Sequence, residues 1–363
     1  MVRWLLAGLA ALCLAPMSAG AQSLVGLQTR VWIDDTRPNL FNAETGRPLD
    51  ARIWYPTRDS VEPRTIAQGD EGSEIFIFGQ AVPGAHLSPG AYPLIVLSHG
   101  NGGSAMQLMW LAQALAAEGY VVAALNHHGN TAVEPALLEQ AFATPWERAL
   151  DLSLLIDFML DDPVFGPALD RERIGVGGFS IGGFSALVAA GGRPDFNAYD
   201  EFCASEQRDA TCGPQLENPD QSGAGDRLQD DPYVRASRER LTDFQGDPRI
   251  QAVFLIAPAL GAAFQEHDLA NLDAPIALIT GDADTVAPAS TNAAFIAARS
   301  PDARLTLIEG GVGHYTFLGV CGPAGLHTLP ALCREEAGVD RSTIHAQASR
   351  LALDHFNTAL DRR

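Results

Sequence analysis

The stretch 173–187, RIGVGGFSIGGFSAL, decides how this chain reads. It contains Gly-Phe-Ser twice, ending at Ser180 and at Ser185. Ile174–Gly177 has the short apolar character of a buried strand, and Ile181–Ala190 has the pattern of a helix, so Ser180 falls on the turn between them. Around it the residues run Gly178-Phe179-Ser180-Ile181-Gly182, a full G-x-S-x-G. The spacing has a mechanical reason. A serine on a very tight strand-to-helix turn must adopt a strained backbone. Glycine two residues to either side removes side chains that would collide with the neighbouring strand and helix. The turn pushes the hydroxyl outward and aims the Ile181 N–H at a reacting carbonyl. Ser185 has Gly183 two before it but Leu187 two after it, and it lies within the helix, where a serine packs or faces solvent. Ser180 is therefore the candidate nucleophile and Ser185 a structural residue.

Outward from this stretch, strands and helices alternate. Pro93–Ser98 and Tyr120–Leu125 are continuous apolar runs, as expected of strands buried on both faces of a parallel sheet. Ala105–Glu118 has helical periodicity, and Thr144–Asp161 reads as a long amphipathic helix opening on Thr144-Pro145 as cap and first turn. Strands follow at Ile250–Ile256, Pro275–Thr280 and Leu305–Ile308, with helices over Ala289–Ala298 and Thr343–Ala359. Upstream, Gly26–Ile33 and Ala51–Tyr55 read as strands, and the Gly- and Pro-rich residues 58–90 as loop. The pattern predicts an α/β protein with a mainly parallel sheet and helices on both faces. Function in such sheets collects on the loops at the carboxyl ends of the strands. Two segments break the alternation: residues 191–248, which hold Cys203 and Cys212, and residues 316–342, which hold Cys321 and Cys333. A lid-like insertion and a surface excursion stapled for stability are both open readings of the longer one.

Charge and cysteines bound the setting. The formal charge is −20, and all 24 basic residues are Arg. Such a surface repels phosphate backbones and anionic lipid, which argues against nucleic-acid binding. The first residues carry Arg3, then the uncharged apolar run Trp4–Met17, then Ser18-Ala19-Gly20-Ala21. That is the layout of a signal peptide over residues 1–21, and the run is shorter than a membrane-spanning helix needs. The expectation is a periplasmic or secreted chain, residues 22–363, forming a single α/β domain with no stable membrane insertion. Export favours disulfides among Cys203, Cys212, Cys321 and Cys333. Four cysteines allow three connectivities, and the short loops favour pairing of neighbours. No Cys-x-x-Cys spacing occurs and neither pair has a His at ligand spacing, so no metal is expected.

A nucleophilic serine needs a base, an orienting carboxylate and two oxyanion donors. On a strand–turn–helix scaffold their chain order is Ser, acid, His. The loop after Pro275–Thr280 supplies Asp282 and Asp284. Asp284, farther beyond the strand, is the candidate acid, and Asp282 reads as a turn residue. The loop after Leu305–Ile308 is Gly310-Gly311-Val312-Gly313-His314, whose glycines allow close approach, and His314 is the candidate base. His345 and His355 fall on the final helix, and His327 lies between two cysteines. The loop after Pro93–Ser98 reads His99-Gly100-Asn101-Gly102-Gly103 and resembles the HG-x-G-type loop of esterases. Asn101 N–H with Ile181 N–H is the candidate oxyanion pair, and His99 is an orienting or packing residue.

The stretches ARIWYP (51–56), PLIVLSHGNGG (93–103), LAAEGYVVAALNHHGNT (115–131), RIGVGGFSIGG (173–183) and GVGHYTFLGVC (311–321) carry a resemblance over most of the chain. It resembles the α/β-hydrolases, and among them the bacterial dienelactone-hydrolase-like proteins related to platelet-activating-factor acetylhydrolase. The resemblance implies an eight-stranded, mostly parallel sheet, a Ser-His-Asp triad, hydrolysis of carboxylic esters and no cofactor. It also implies that the His128-Gly129-Asn130 loop lies near the substrate pocket, with His128 and Gly129 as pocket residues. Three departures matter. Dienelactone hydrolase itself uses cysteine where this chain has Ser180. The acetylhydrolases take their acid after the sixth strand, where LIAPALG (255–261) has no carboxylate. The oxyanion residue, often Leu in those relatives, is Asn101 here. The reading is thus a serine esterase acting on a small-molecule ester or lipid. A peptidase or amidase with the same triad, and a non-catalytic binding protein of this fold, are the competing readings.

Overall fold

The computed structural model describes residues 24–221, 223–269 and 272–361. The expected signal peptide, residues 1–21, lies outside the described residues. Eleven strands join one sheet: β1 Leu24–Pro38, β2 Gly46–Thr57, β3 Arg64–Gln68, β4 Phe76–Pro83, β5 Tyr92–Ser98, β6 Val121–Asn126, β7 Leu169–Phe179, β8 Ile250–Ile256, β9 Ile276–Gly281, β10 Arg304–Ile308 and β11 Val320–Cys321. Their order is β10-β9-β8-β7-β5-β6-β2-β1-β4-β11, with β3 paired to β4. From β10 to β6 every pairing is parallel, and β2 and β1 then run antiparallel. The eight strands implied by the resemblance are β1, β2 and β5–β10.

Every residue of β5 and β6 is buried. Side chains alternate between two cores. Leu94 and Val96 face the core that also holds Leu152, Ile156 and Phe184, beneath the helices Glu147–Asp161 and Ile181–Ala189. Ile95 and Leu97 face the core with Leu111, Leu115 and Phe356, beneath the helices Met109–Ala117 and Arg341–Leu360. A continuous apolar run in the sequence is what two buried faces require. No helix among the described residues is long and apolar enough to cross a membrane.

Three local expectations are corrected. Residues 58–90 are not simply loop, because β3 and β4 pair antiparallel there and extend the sheet beyond β1. Both strands are for the most part only partly buried, and Gly79 interrupts the apolar run that opens β4. The helix expected from Thr144 starts at Glu147, because the Thr144 hydroxyl donates to the Gln140 carbonyl at 2.7 Å and closes the short helix Glu139–Ala143 instead. The helix expected over 289–298 is confined to Ala293–Ala297. Residues 191–248 contain the helices Phe196–Ala204 and Pro232–Asp243, each started by an aspartate whose carboxylate accepts two backbone N–H bonds, Asp195 and Asp231. Both neighbouring cysteine pairs are joined, Cys203 to Cys212 and Cys321 to Cys333.

The final helix carries a buried histidine. His345 stacks on Trp110 with ring centroids 4.3 Å apart, and its Nε2–H donates to the Thr316 carbonyl at 2.9 Å. Burial pushes its pKa down to about 3. An unfolded histidine titrates near 6.5, so below that pH the unfolded chain binds a proton that the folded chain refuses. Stability is therefore retained above pH ~6.5 and falls as the pH is lowered from there toward 3, by about 1.4 kcal/mol per pH unit for such a group. Urea unfolding followed near pH 7 and near pH 5 should show a lower midpoint at the acidic pH. An equal or higher midpoint would contradict the assignment of a neutral, buried imidazole.

Candidate active site

Ser180 sits immediately after β7 with φ 57° and ψ −123°, a region that side chains rarely occupy. The glycines around it explain how this is tolerated. A Cβ on Gly178 would lie 2.1 Å from the Gly182 carbonyl oxygen, and one on Gly182 would lie 2.1 Å from the Ser98 carbonyl oxygen. Strand, helix and the end of β5 close on one another only because those atoms are absent. The turn is pinned from β8: Ser180 N–H donates to the Ile256 carbonyl at 2.9 Å, and the Ser180 carbonyl accepts from Ala259 N–H at 3.1 Å. Ser185 is fully buried and its hydroxyl donates to the Ile181 carbonyl at 2.8 Å, a packing role.

Three side chains from three strand-end loops meet. His314 Nε2 lies 3.0 Å from Ser180 Oγ, and His314 Nδ1 lies 2.7 Å from Asp284 Oδ2. With Nδ1–H donating to the carboxylate, Nε2 is left as the acceptor of the serine proton. The other carboxylate oxygen of Asp284 accepts from Val286 and Ala287 N–H, at 2.9 and 2.8 Å, which fixes the acid. Asp282 binds the loop that carries the histidine. Its carboxylate accepts from Gly310, Gly311 and Val312 N–H at 2.9–3.0 Å, and these bonds, with the Gly310 one foremost, hold its pKa below the usual carboxylate range.

The loop 99–103 faces this group. Its N–H groups can be accounted for one at a time. Gly100 N–H donates to Gln107 Oε1 at 2.6 Å, Gly102 N–H to Asn130 Oδ1 at 2.7 Å, and Gly103 N–H to the Gly100 carbonyl at 3.2 Å. The Asn101 N–H has no such acceptor among the described residues. Ile181 is the first residue of its helix, and a first-turn N–H has no intrahelical acceptor. Asn101 lines the same cavity as Ser180, and Ile181 follows Ser180 directly.

A second Ser-His-Asp chain lies beneath that loop. His127 Nδ1–H donates to Asp151 Oδ2 at 2.9 Å, and His127 Nε2 accepts from Ser98 Oγ at 2.9 Å. Ser98, His127 and Asp151 are all buried, so this chain meets no substrate. Burial alone would raise the Asp151 carboxyl, but Arg47 and Arg37 pull it well below the usual range. Arg47 binds both its oxygens, at 2.8 and 2.9 Å, and Arg37 approaches at 2.8 Å. Burial and then the Arg148 charge push His127 down to about 3. Arg148 donates to the His99 carbonyl, and His99 Nε2 accepts from His127 N–H at 3.1 Å. His99 is thus an orienting residue. Arg37 and Arg240 also hold Glu147, so the charges form one buried network.

The cavity beside Ser180 has a volume of about 210 Å³. Phe76, Phe78, Phe179, Leu318, Leu329 and Leu332 supply its apolar wall, and Asn101, Gln107 and Glu217 its polar side. Glu217 Oε2 accepts from Tyr315 O–H at 2.6 Å. His128 and Gly129 do not line this cavity. His128 is turned the other way, with Nε2 accepting from Leu40 N–H at 2.9 Å and Nδ1 bonded to Glu134 at 2.6 Å, while Gly129 N–H donates to the same carboxylate. That loop reaches the site one residue later, through Asn130. The sequence reading also passed over Glu217 and the two phenylalanines of β4, although the β-branched and aromatic run Ile75-Phe76-Ile77-Phe78 is a strand signal. Among the described residues no group of three or more His, Cys, Asp or Glu side chains is arranged to hold a metal ion.

Residues 80–156 match the family model of platelet-activating factor acetylhydrolase, isoform II. This segment carries the loop 99–103, Asn130 and the buried Asp151, and it ends before Ser180. Cutinase est2 of Thermobifida alba is 32% identical over 109 residues, 30% of this chain and 33% of the cutinase. Cutinase 2 of Thermobifida cellulosilytica is 29% identical over 109 residues, 30% of this chain and 37% of that protein. The chain therefore spans about a third of the length of the curated relatives it matches. Among solved structures, a ferulic acid esterase from Streptomyces cinnamoneus superposes with a TM-score of 0.62 at 20% identity, over 95% of this chain and 92% of that one. The chain has the α/β-hydrolase fold.

The buried network yields a prediction. Asp151→Ala strips the partner from two buried arginines, and breaking a buried pair in this way costs about 3–5 kcal/mol. A urea midpoint lowered to match is the expected result, and a midpoint equal to that of the parent protein would show that the network carries no such load.

Proposed function

We propose that this chain hydrolyses carboxylic esters through an acyl-enzyme on Ser180. The observation that carries the reading is the hydrogen-bonded chain Ser180–His314–Asp284 opening onto an apolar-walled cavity. His314 Nε2 takes the hydroxyl proton as Ser180 Oγ attacks the ester carbonyl. Asp284 keeps the imidazole in the acceptor tautomer and stabilises the imidazolium. The N–H groups of Asn101 and Ile181 bind the oxyanion. His314 then protonates the leaving alcohol, and water repeats the attack on the acyl-enzyme. No step calls for a metal or organic cofactor.

The substrate is an uncharged small-molecule ester. Phe76, Phe78, Leu318 and Leu332 favour an apolar acyl or aromatic group, and the Glu217 carboxylate repels an acid. Similarity to proteins named as cutinases and a ferulic acid esterase supports ester chemistry without choosing among esters. Two disulfides support an exported location, periplasmic or secreted.

The test is turnover of p-nitrophenyl esters of increasing chain length. Ser180→Ala should reduce kcat by at least about 10⁴-fold, and Asp284→Asn by a similar factor, with the folded structure retained. Turnover by Ser180→Ala at the parent rate would sink the proposal. A chain-length optimum would then size the acyl wall.

A further inference from the structure

We infer that the side-chain amide of Asn101 is a third hydrogen-bond donor to the oxyanion, aimed by Asn130. The inference rests on ester hydrolysis at Ser180 and adds a residue to it. Asn130 is buried and both ends of its amide are engaged. Its Oδ1 accepts Gly102 N–H at 2.7 Å, so its Nδ2 is the end presented to Asn101 Oδ1, at 2.9 Å. Reversing the Asn101 amide would set two NH₂ groups against each other, donor to donor. Asn130 therefore fixes Asn101 with its oxygen inward and its Nδ2 on the opposite branch of the planar amide.

That Nδ2 has no acceptor among the described residues. Asn101 itself is half-buried and lines the cavity together with Ser180 and His314. Two N–H groups on an apolar-walled cavity need an acceptor, and the reaction brings one. The carbonyl oxygen of the ester gains negative charge as Ser180 attacks, and a donor already held in place pays no reorganisation at that moment. The Asn101 backbone N–H also has no acceptor among the described residues, so a single cavity-lining residue offers both kinds of donor. Asn101 is then a catalytic residue, and Asn130 a positioning residue acting through it.

The experiment compares kcat and KM on p-nitrophenyl butyrate for the parent protein, Asn101→Ala, Asn101→Leu, Asn130→Ala, the Asn101→Ala/Asn130→Ala pair and Ser180→Ala. Neither Asn101 substitution removes the backbone N–H, and the two differ in bulk, so a folding defect in one leaves the other to report. Expected for both is a fall in kcat of roughly 10²-fold, the scale of one lost oxyanion donor, with KM within about threefold. Affinity for an alkyl trifluoromethyl ketone should fall by the same factor as kcat, a change that loss of packing alone would not track. The double variant should be no slower than Asn101→Ala, because Asn130 acts through Asn101. If Ser180→Ala is inactive while both Asn101 variants keep kcat within twofold of the parent, the inference fails and ester hydrolysis stands. A rise in KM with unchanged kcat also overturns it, assigning Asn101 to ground-state binding. If Ser180→Ala keeps the parent activity, both readings fall.

Discussion

The site depends on one steric constraint, the closure of β7, its following helix and the end of β5 around Ser180. The serine holds φ 57° only where the surroundings over-determine it. Gly182 meets the Ser98 carbonyl where any side chain would collide. Through that contact the strained turn and the loop 99–103 share a foundation, since Ser98 is the last residue of β5 and the loop begins at the next. Ser180 and the loop 99–103 are thereby placed by the same packing, at the same ends of two paired parallel strands.

Beneath this contact the chain buries Arg37, Arg47, Arg148, Asp151 and Glu147. Desolvating such groups costs several kcal/mol each, and their mutual attraction offsets that cost only with close geometry. Replacement by apolar residues of equal volume is often neutral in comparable networks, so stability alone is a weak reason for them. Their contacts suggest another reason. Arg148 holds the His99 carbonyl, His127 holds Ser98, and both lead back to the helix Glu147–Asp161. An apolar core could support the loop, but it would not bind one particular carbonyl and one particular hydroxyl. The network gives loop 99–103 a single arrangement, and the proposed oxyanion donor Asn101 inherits it.

The central sheet was legible because its strands are buried on both faces, and two buried faces write an unbroken apolar run. Ser180, Asp284 and His314 stood out as candidates because each lies in a loop just past a strand, with a glycine within three residues. The edges were less so. β3 and β4 are half-exposed, and glycine and proline around them mimic a loop. Thr144 looks like a helix cap by residue type, and only its bond to Gln140 shows that it closes one helix rather than opening another. The loop of His128, Gly129 and Asn130 was placed near the site, but His128 and Gly129 do not line the cavity, because a loop's neighbourhood can be read from its order in the chain but the direction of its side chains cannot. The buried chain Ser98–His127–Asp151 was invisible for the same reason: its members are far apart in sequence and share no spacing.

Those less legible parts are also the ones that shape the cavity. β4 supplies two phenylalanines, the segment with the second disulfide supplies Leu318, Leu329 and Leu332, and the first disulfide-stapled insertion supplies Glu217. The insertion is tied to both halves of the site. Asp209 accepts from Thr291 and Asn292 in the segment beyond Asp284, and Glu217 accepts from the tyrosine next to His314. Asn218 packs against Gly102 of the loop 99–103. A wall anchored at three such points restricts what reaches Ser180 without taking part in the chemistry. The division follows from the physics of each part. Reacting groups need the precision of a doubly buried sheet, whereas a pocket wall needs only shape, which loops held by a disulfide and a few carboxylates can supply.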